Sequence, residues 1–182
     1  MAAIQPPADA AEDRPHRRGV RFLALVSVLA LTAVIGFRAL ACHLSINVTQ
    51  SLPPGLYWLS PSRQPARGSL VAFPLPASVR ELVTARRYLP PSVLLLKRVV
   101  AVAGDAVCIA GSRYSANGIH LDAIAAADQA GRPLPRPFPF CGVVPPGVVF
   151  VAGHGPSSLD SRYFGPVPLS TLTVAVPLWT SS

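Results

Sequence analysis

Twenty-one prolines and thirteen glycines are spread through the 182 residues, and this punctuation restricts the fold more than any other feature of the chain. Proline fixes φ and removes a backbone donor, so long helices are excluded wherever the two residues recur every few positions. Short strands joined by turns are what remains, and the bulk of the chain is expected to be β. Residues 68–73, 93–102, 148–152 and 172–177 are apolar runs bounded by proline or glycine and read as strands. Beyond residue 43 only residues 78–88, SVRELVTARRY, have a helical pattern, and no internal repeat is present. The length suits one domain with a short appendage.

The appendage is N-terminal. Residues 22–37, FLALVSVLALTAVIGF, carry no charge, and residues 39–42 extend the apolar run past Arg38. A helix of that length spans a bilayer, with Arg38 reaching toward the headgroups. The overall balance, 51% hydrophobic against 13% charged, fits a membrane segment. Arg14, Arg17, Arg18 and Arg21 precede it, which by the positive-inside rule keeps the N-terminus in the cytoplasm. The expected organisation is a cytoplasmic tail over 1–20, a transmembrane anchor over 21–42 and an exported β-rich domain over 43–182. Two other readings export the same domain. One is a cleaved signal peptide ending at Ala39-Leu40-Ala41; the other is a lipoprotein at Cys42, although Ala39 stands where a large aliphatic residue is expected.

The net charge of +8 raises the question of nucleic acid, but the basic residues are scattered and form no RNP, finger or basic-helix pattern. Nucleic-acid binding is therefore not expected. Cys108 and Cys141 both fall in the exported part, where an oxidising compartment lets them pair, and a Cys108–Cys141 disulfide is expected. Two buried thiols are the alternative, since sequence does not give the Cα separation. No metal-ligand spacing accompanies them, and neither metal nor cofactor is expected.

Several residues have the chemistry of a site. Ser51 stands before the rigid Pro53-Pro54-Gly55 turn, although a serine there is by itself more often a turn residue than a nucleophile. Lys97 lies inside the run LLLKRVVAV, where strand alternation puts it on the face of Leu95 and Val99. A lysine on an apolar face is partly neutral near pH 7 and can act as a general base. Read without other context, Lys97-Arg98 is better explained as the end of an edge strand protected by charge. Gly104-Asp105 and Asn117-Gly118 read as turns. The polar loop over residues 153–165 holds His154, Ser158, Asp160 and Arg162; a Ser51-His154-Asp160 triad is conceivable, but no nucleophile-elbow pattern surrounds any serine.

These pieces, in order, resemble the type I signal peptidases, and most closely their TraF-like conjugative-transfer branch. The resemblance covers roughly residues 43–180. It rests on N-x-T-x-S-x-P-x-G-L-Y from Asn47 to Tyr57, KRVVAVAGD from Lys97 to Asp105, GRPLP from Gly131 to Pro135, SLDSRYFGP from Ser158 to Pro166, and Pro177-Leu178-Trp179. It implies a signal-peptidase-like β domain in which Ser51 is the nucleophile and Lys97 the general base. Thr49 and the Ser51 N–H correspond to the oxyanion hole, Ser158 to the serine that orients the lysine, and Asp160 with Arg162 to a pair supporting the loop.

The resemblance further implies a single-pass protein of the bacterial inner membrane with a periplasmic catalytic domain. Its partners would be an exported pilin-type or signal-peptide-bearing protein substrate and membrane lipid, and its chemistry hydrolysis or cyclisation. Two rival readings are a general leader peptidase and a non-catalytic membrane-tethered assembly component. Leu52, where common signal peptidases have Met, and Gly153-His154-Gly155, in place of Gly-Asp-Asn, are departures that bear on substrate.

Overall fold

A computed structural model describes residues 14–181 apart from positions 50, 62 and 91, with side chains described from residue 19 onward. The part of the expected tail before Arg14 lies outside the described residues. The chain divides between Cys42 and His43.

The first unit is helix α1, Arg14–Ala41. Within it Gly19–Ala41, 23 residues, is long and apolar enough to cross a membrane. At 1.5 Å per residue this is about 35 Å, against roughly 30 Å of bilayer hydrocarbon.

The second unit is mostly β. Strands β1 (Leu44–Asn47), β2 (Gly55–Ser60), β3 (Leu70–Phe73), β4 (Leu95–Ala101), β9 (Val148–Ala152), β10 (Val167–Pro168) and β11 (Thr173–Thr180) form one sheet in the order β1-β2-β11-β3-β4-β9-β10. A smaller sheet, in the order β7-β6-β5-β8, is made by β5 (Ala106–Ala110), β6 (Arg113–Ala116), β7 (Ile119–Ala123) and β8 (Phe140–Val143). Helix α2 (Ala77–Ala85) connects β3 to β4, and the single turn α3 (Ser161–Phe164) lies within the polar loop over residues 153–165. The expected helix starts as read but stops three residues early: Arg87 has φ 55°, which turns the chain before Pro90.

β4 organises the interior because it pairs with β3 on one side and β9 on the other. Leu95 and Val99 join Phe73, Val83, Val151 and Phe164 in one core, Leu96 packs with Leu52, Tyr57 and Leu59 in a second, and Ala101 joins Ile109, Tyr114 and Phe150 in a third. Each large side chain buried this way contributes about 1.5–3 kcal/mol. The edge-strand reading of Lys97-Arg98 is therefore overturned: the lysine sits in mid-sheet and is buried, while Arg98 beside it is exposed.

A disulfide joins Cys108 on β5 to Cys141 on β8, which face each other in register. Asp105 anchors the turn after β4, accepting from the Val102 N–H at 2.8 Å, from the Asn117 amide at 3.1 Å and from Arg67. Asn117 and Gly118 both have positive φ in the β6–β7 hairpin, as the Asn-Gly turn read from the sequence requires.

Candidate active site

The turn carrying Ser51 is stapled by Asn47 at the end of β1. The Asn47 amide donates to the carbonyls of Thr49 (3.1 Å), Leu52 (2.9 Å) and Pro53 (3.2 Å). Its oxygen accepts from the Thr49 N–H (3.1 Å) and the Thr49 hydroxyl (2.8 Å). Leu52 is buried below, and the buried Tyr57 donates its hydroxyl to the Pro53 carbonyl at 2.6 Å. At Gly55 any Cβ would fall 2.8 Å from Thr180 Cα, so only glycine lets β2 start against β11. Asn47, Thr49, Pro53, Gly55 and Tyr57 of the pattern thus each have a structural task, and Ser51 is left half-buried on the turn.

Lys97 is 3% exposed, on the same face of β4 as Leu95 and Val99. Its Nζ donates to Ser158 Oγ at 2.9 Å, and Ser158 Oγ stands 3.5 Å from Ser51 Oγ. Burial pushes the Lys97 ammonium down to about 8, opposed by the Asp160 carboxylate and reinforced by the Arg162 guanidinium. About a tenth of Lys97 is thus neutral at pH 7, and more as pH rises toward 8. A hydroxyl both donates and accepts, so Ser158 can link Ser51 to Lys97 in either proton sense.

Gly153 closes the group from above. A Cβ there would overlap Ser158 Oγ and lie 2.9 Å from Lys97 Nζ and 3.0 Å from Ser51 Cβ. The next residue, His154, donates its backbone N–H to the Ser51 carbonyl at 2.9 Å and so ties the polar loop to the serine turn.

Behind this loop lies a fully buried ion pair. Arg162 Nε donates to Asp160 Oδ1 at 2.8 Å and Nη2 to Oδ2 at 2.6 Å. The remaining donors reach the carbonyls of Gly153 (3.2 Å), Gly155 (2.9 Å) and Ala123 (2.8 Å). Asp160 also accepts the Gly153 N–H at 2.9 Å. With both carboxylate oxygens occupied in this way and the His154 side chain exposed, no Ser-His-Asp triad is assembled among the described residues.

The structure thus brings Ser51, Ser158 and Lys97 into one chain of side-chain contacts, with Asp160 and Arg162 joined to it through the backbone of the polar loop. Thr49 stands beside Ser51, with its hydroxyl hydrogen engaged by Asn47. Asn47 and Gly153 were not singled out by sequence reasoning as functional positions. The Asn-x-Thr spacing, which suits a side chain capping its own turn, was the available signal for the first; for Gly153 there was none. A groove of about 960 Å³ runs past Ser51 and Lys97.

The family described as signal peptidase, peptidase S26, matches residues 17–179. The chain belongs to this family. It is a family of serine peptidases. The conjugal transfer protein TraF of Agrobacterium fabrum (strain C58 / ATCC 33970) is 35% identical over 174 residues, 89% of this chain and 93% of the relative. A plasmid transfer protein TraF of Escherichia coli is 33% identical over 169 residues, 87% and 93% of the two chains. Among solved structures, a signal peptidase I from Enterococcus faecalis V583 aligns with a TM-score of 0.37 and 25% identity, covering 63% of this chain and 97% of that one.

Proposed function

We propose that this protein is a Ser/Lys endopeptidase that processes an exported pilin-type precursor in conjugative transfer. It works from a single-pass anchor in the bacterial inner membrane, with its catalytic domain periplasmic. The observation that carries the chemical reading is Lys97: a buried amine, lowered to about 8, one hydroxyl away from a serine on a rigid turn. The conjugative role is supported by relatives named for conjugal and plasmid transfer. Orientation is supported by Arg21 and the basic residues before it, ahead of a helix long enough to span.

In this reading Ser51 loses its proton toward neutral Lys97 through Ser158 while Oγ bonds to the scissile carbonyl carbon. The Ser51 N–H and the Thr49 hydroxyl receive the oxyanion; Thr49 does so by rotating its hydroxyl away from Asn47. An oxyanion donor is worth about 10²–10³ in rate. Collapse breaks the C–N bond, and the leaving amine takes the proton held by Lys97, giving an acyl-enzyme. Water then completes hydrolysis, or the substrate's own N-terminal amine closes a ring.

The test is the intact mass of a pilin precursor co-expressed with the full chain. The wild type shortens it and Ser51→Ala leaves it whole; equal products from both would remove the assignment. A product one water lighter than the linear fragment identifies cyclisation.

A further inference from the structure

The groove that passes Ser51 and Lys97 continues over an apolar floor, including Leu89, Val93 and Leu134, to a charged cluster at Tyr88, Asp128 and Arg132. This cluster belongs to neither the serine turn nor the loop over residues 153–165. Tyr88 donates its hydroxyl to Asp128 Oδ2, and Arg132 Nε donates to the same oxygen at 2.8 Å. The Asp128 side chain also accepts the backbone N–H groups of Ala130 (2.9 Å) and Arg132 (2.8 Å). Arg86 completes the group, with Nη1 3.1 Å from the Tyr88 hydroxyl and 3.8 Å from the Asp128 carboxylate, and Nη2 2.8 Å from the Pro133 carbonyl.

The charges do not cancel. One carboxylate, held well below the usual range chiefly by the Tyr88 hydroxyl, faces two guanidinium groups. Arg86 is spent on Tyr88 and Pro133. Arg132 is different: only its Nε is bonded among the described residues, its guanidinium lies 5.1 Å from the centre of the Tyr88 ring, and its side chain is 46% exposed. Its two terminal amino groups therefore face the groove with no acceptor among the described residues. With Arg86 counted, two guanidinium groups against one carboxylate leave this cluster with a net positive charge.

We propose that Arg132 is a specificity-determining residue: the far end of the groove is a subsite for a substrate carboxylate, carried by an acidic side chain or by a chain terminus. This rests on the peptidase reading only in taking the groove as the peptide path. A planar guanidinium anchored at Nε offers two parallel donors, the geometry that suits a carboxylate. Asp128 and Tyr88 fix the fork before substrate arrives, which lowers the ordering cost of binding.

The experiment uses the full chain in detergent micelles and dye-labelled peptides with small residues at the centre. A single Glu, Gln or Lys is placed at successive positions, and each peptide is made with a free or an amidated C-terminus. Binding is read by fluorescence anisotropy, and cleavage of the same peptides by mass. For wild type, binding is about fivefold tighter for Glu than for Gln at one position, or for the free over the amidated terminus, and weaker for Lys. The preference shrinks with added salt. Arg132→Gln removes the preference, and Arg132→Glu turns it toward Lys. Equal affinity of wild type for Glu, Gln and Lys at every position and for both termini overturns the subsite, and so does a preference unchanged in Arg132→Gln. Charge-selective binding without cleavage would keep the subsite and remove the peptidase reading; cleavage without charge preference would do the reverse.

Discussion

Burying a protonated lysine costs stability, and Lys97 shows where that cost falls. Its folded pKa of about 8 lies below the ordinary value of 10.5, so the folded state binds the proton less tightly than the unfolded chain. The penalty is fully present below about pH 8 and is relieved as pH rises from there toward 10.5. Lys97→Met, of similar length and without the charge, is expected to be more stable than wild type at pH 7, with the advantage fading by pH 10, and to be inactive. Thermal unfolding at the two pH values checks this; a variant less stable at pH 7 would show that the lysine is not disfavoured by its site. The apolar face was legible from the alternation of Leu95, Lys97 and Val99. The hydroxyl partner was legible only through the family resemblance, because Ser158 is 61 residues away and reaches Lys97 only through the fold.

At the scale of elements, the site is a meeting of one strand and two loops. β4 presents the lysine, the stapled turn after β1 presents the serine, and the loop after β9 lays Gly153 across both. Arg162 holds that loop by its carbonyls, with Asp160 neutralising the charge. Gly153→Ala puts a methyl group where Ser158, Lys97 and Ser51 already stand. Overpacking of this kind costs about 1–3 kcal/mol. A small displacement of the reacting groups is expected to lower kcat by about 10²-fold while KM changes little. Steady-state kinetics beside a melting curve measure both, and a fully active variant would mean that the loop does not set the site geometry. The strands that sequence marked clearly are the apolar ones of the large sheet. In the small sheet, RYSA in β6 and IHLDA in β7 mix polar with apolar residues, and they are defined by hairpin pairing rather than by hydrophobic runs.

For the whole molecule, an apolar helix and a mostly β domain follow one another along the chain, and family membership spans both. The division of composition between an uncharged N-terminal run and a proline- and glycine-rich remainder made this organisation readable from sequence. The ordered motifs made the family readable. The groove and the arginine at its far end were not, since Tyr88, Asp128 and Arg132 come from segments that meet only in the folded domain.

The central claim is that Lys97 is the base for Ser51, and the pH dependence of kcat/KM on a neutral peptide tests it most directly. The account predicts that activity rises with pH through an apparent pKa near 8, the value of the free enzyme's base, and that Lys97→Ala loses both the activity and the inflection. An inflection near about 6.5 that survives in Lys97→Ala would contradict it and point to a histidine instead.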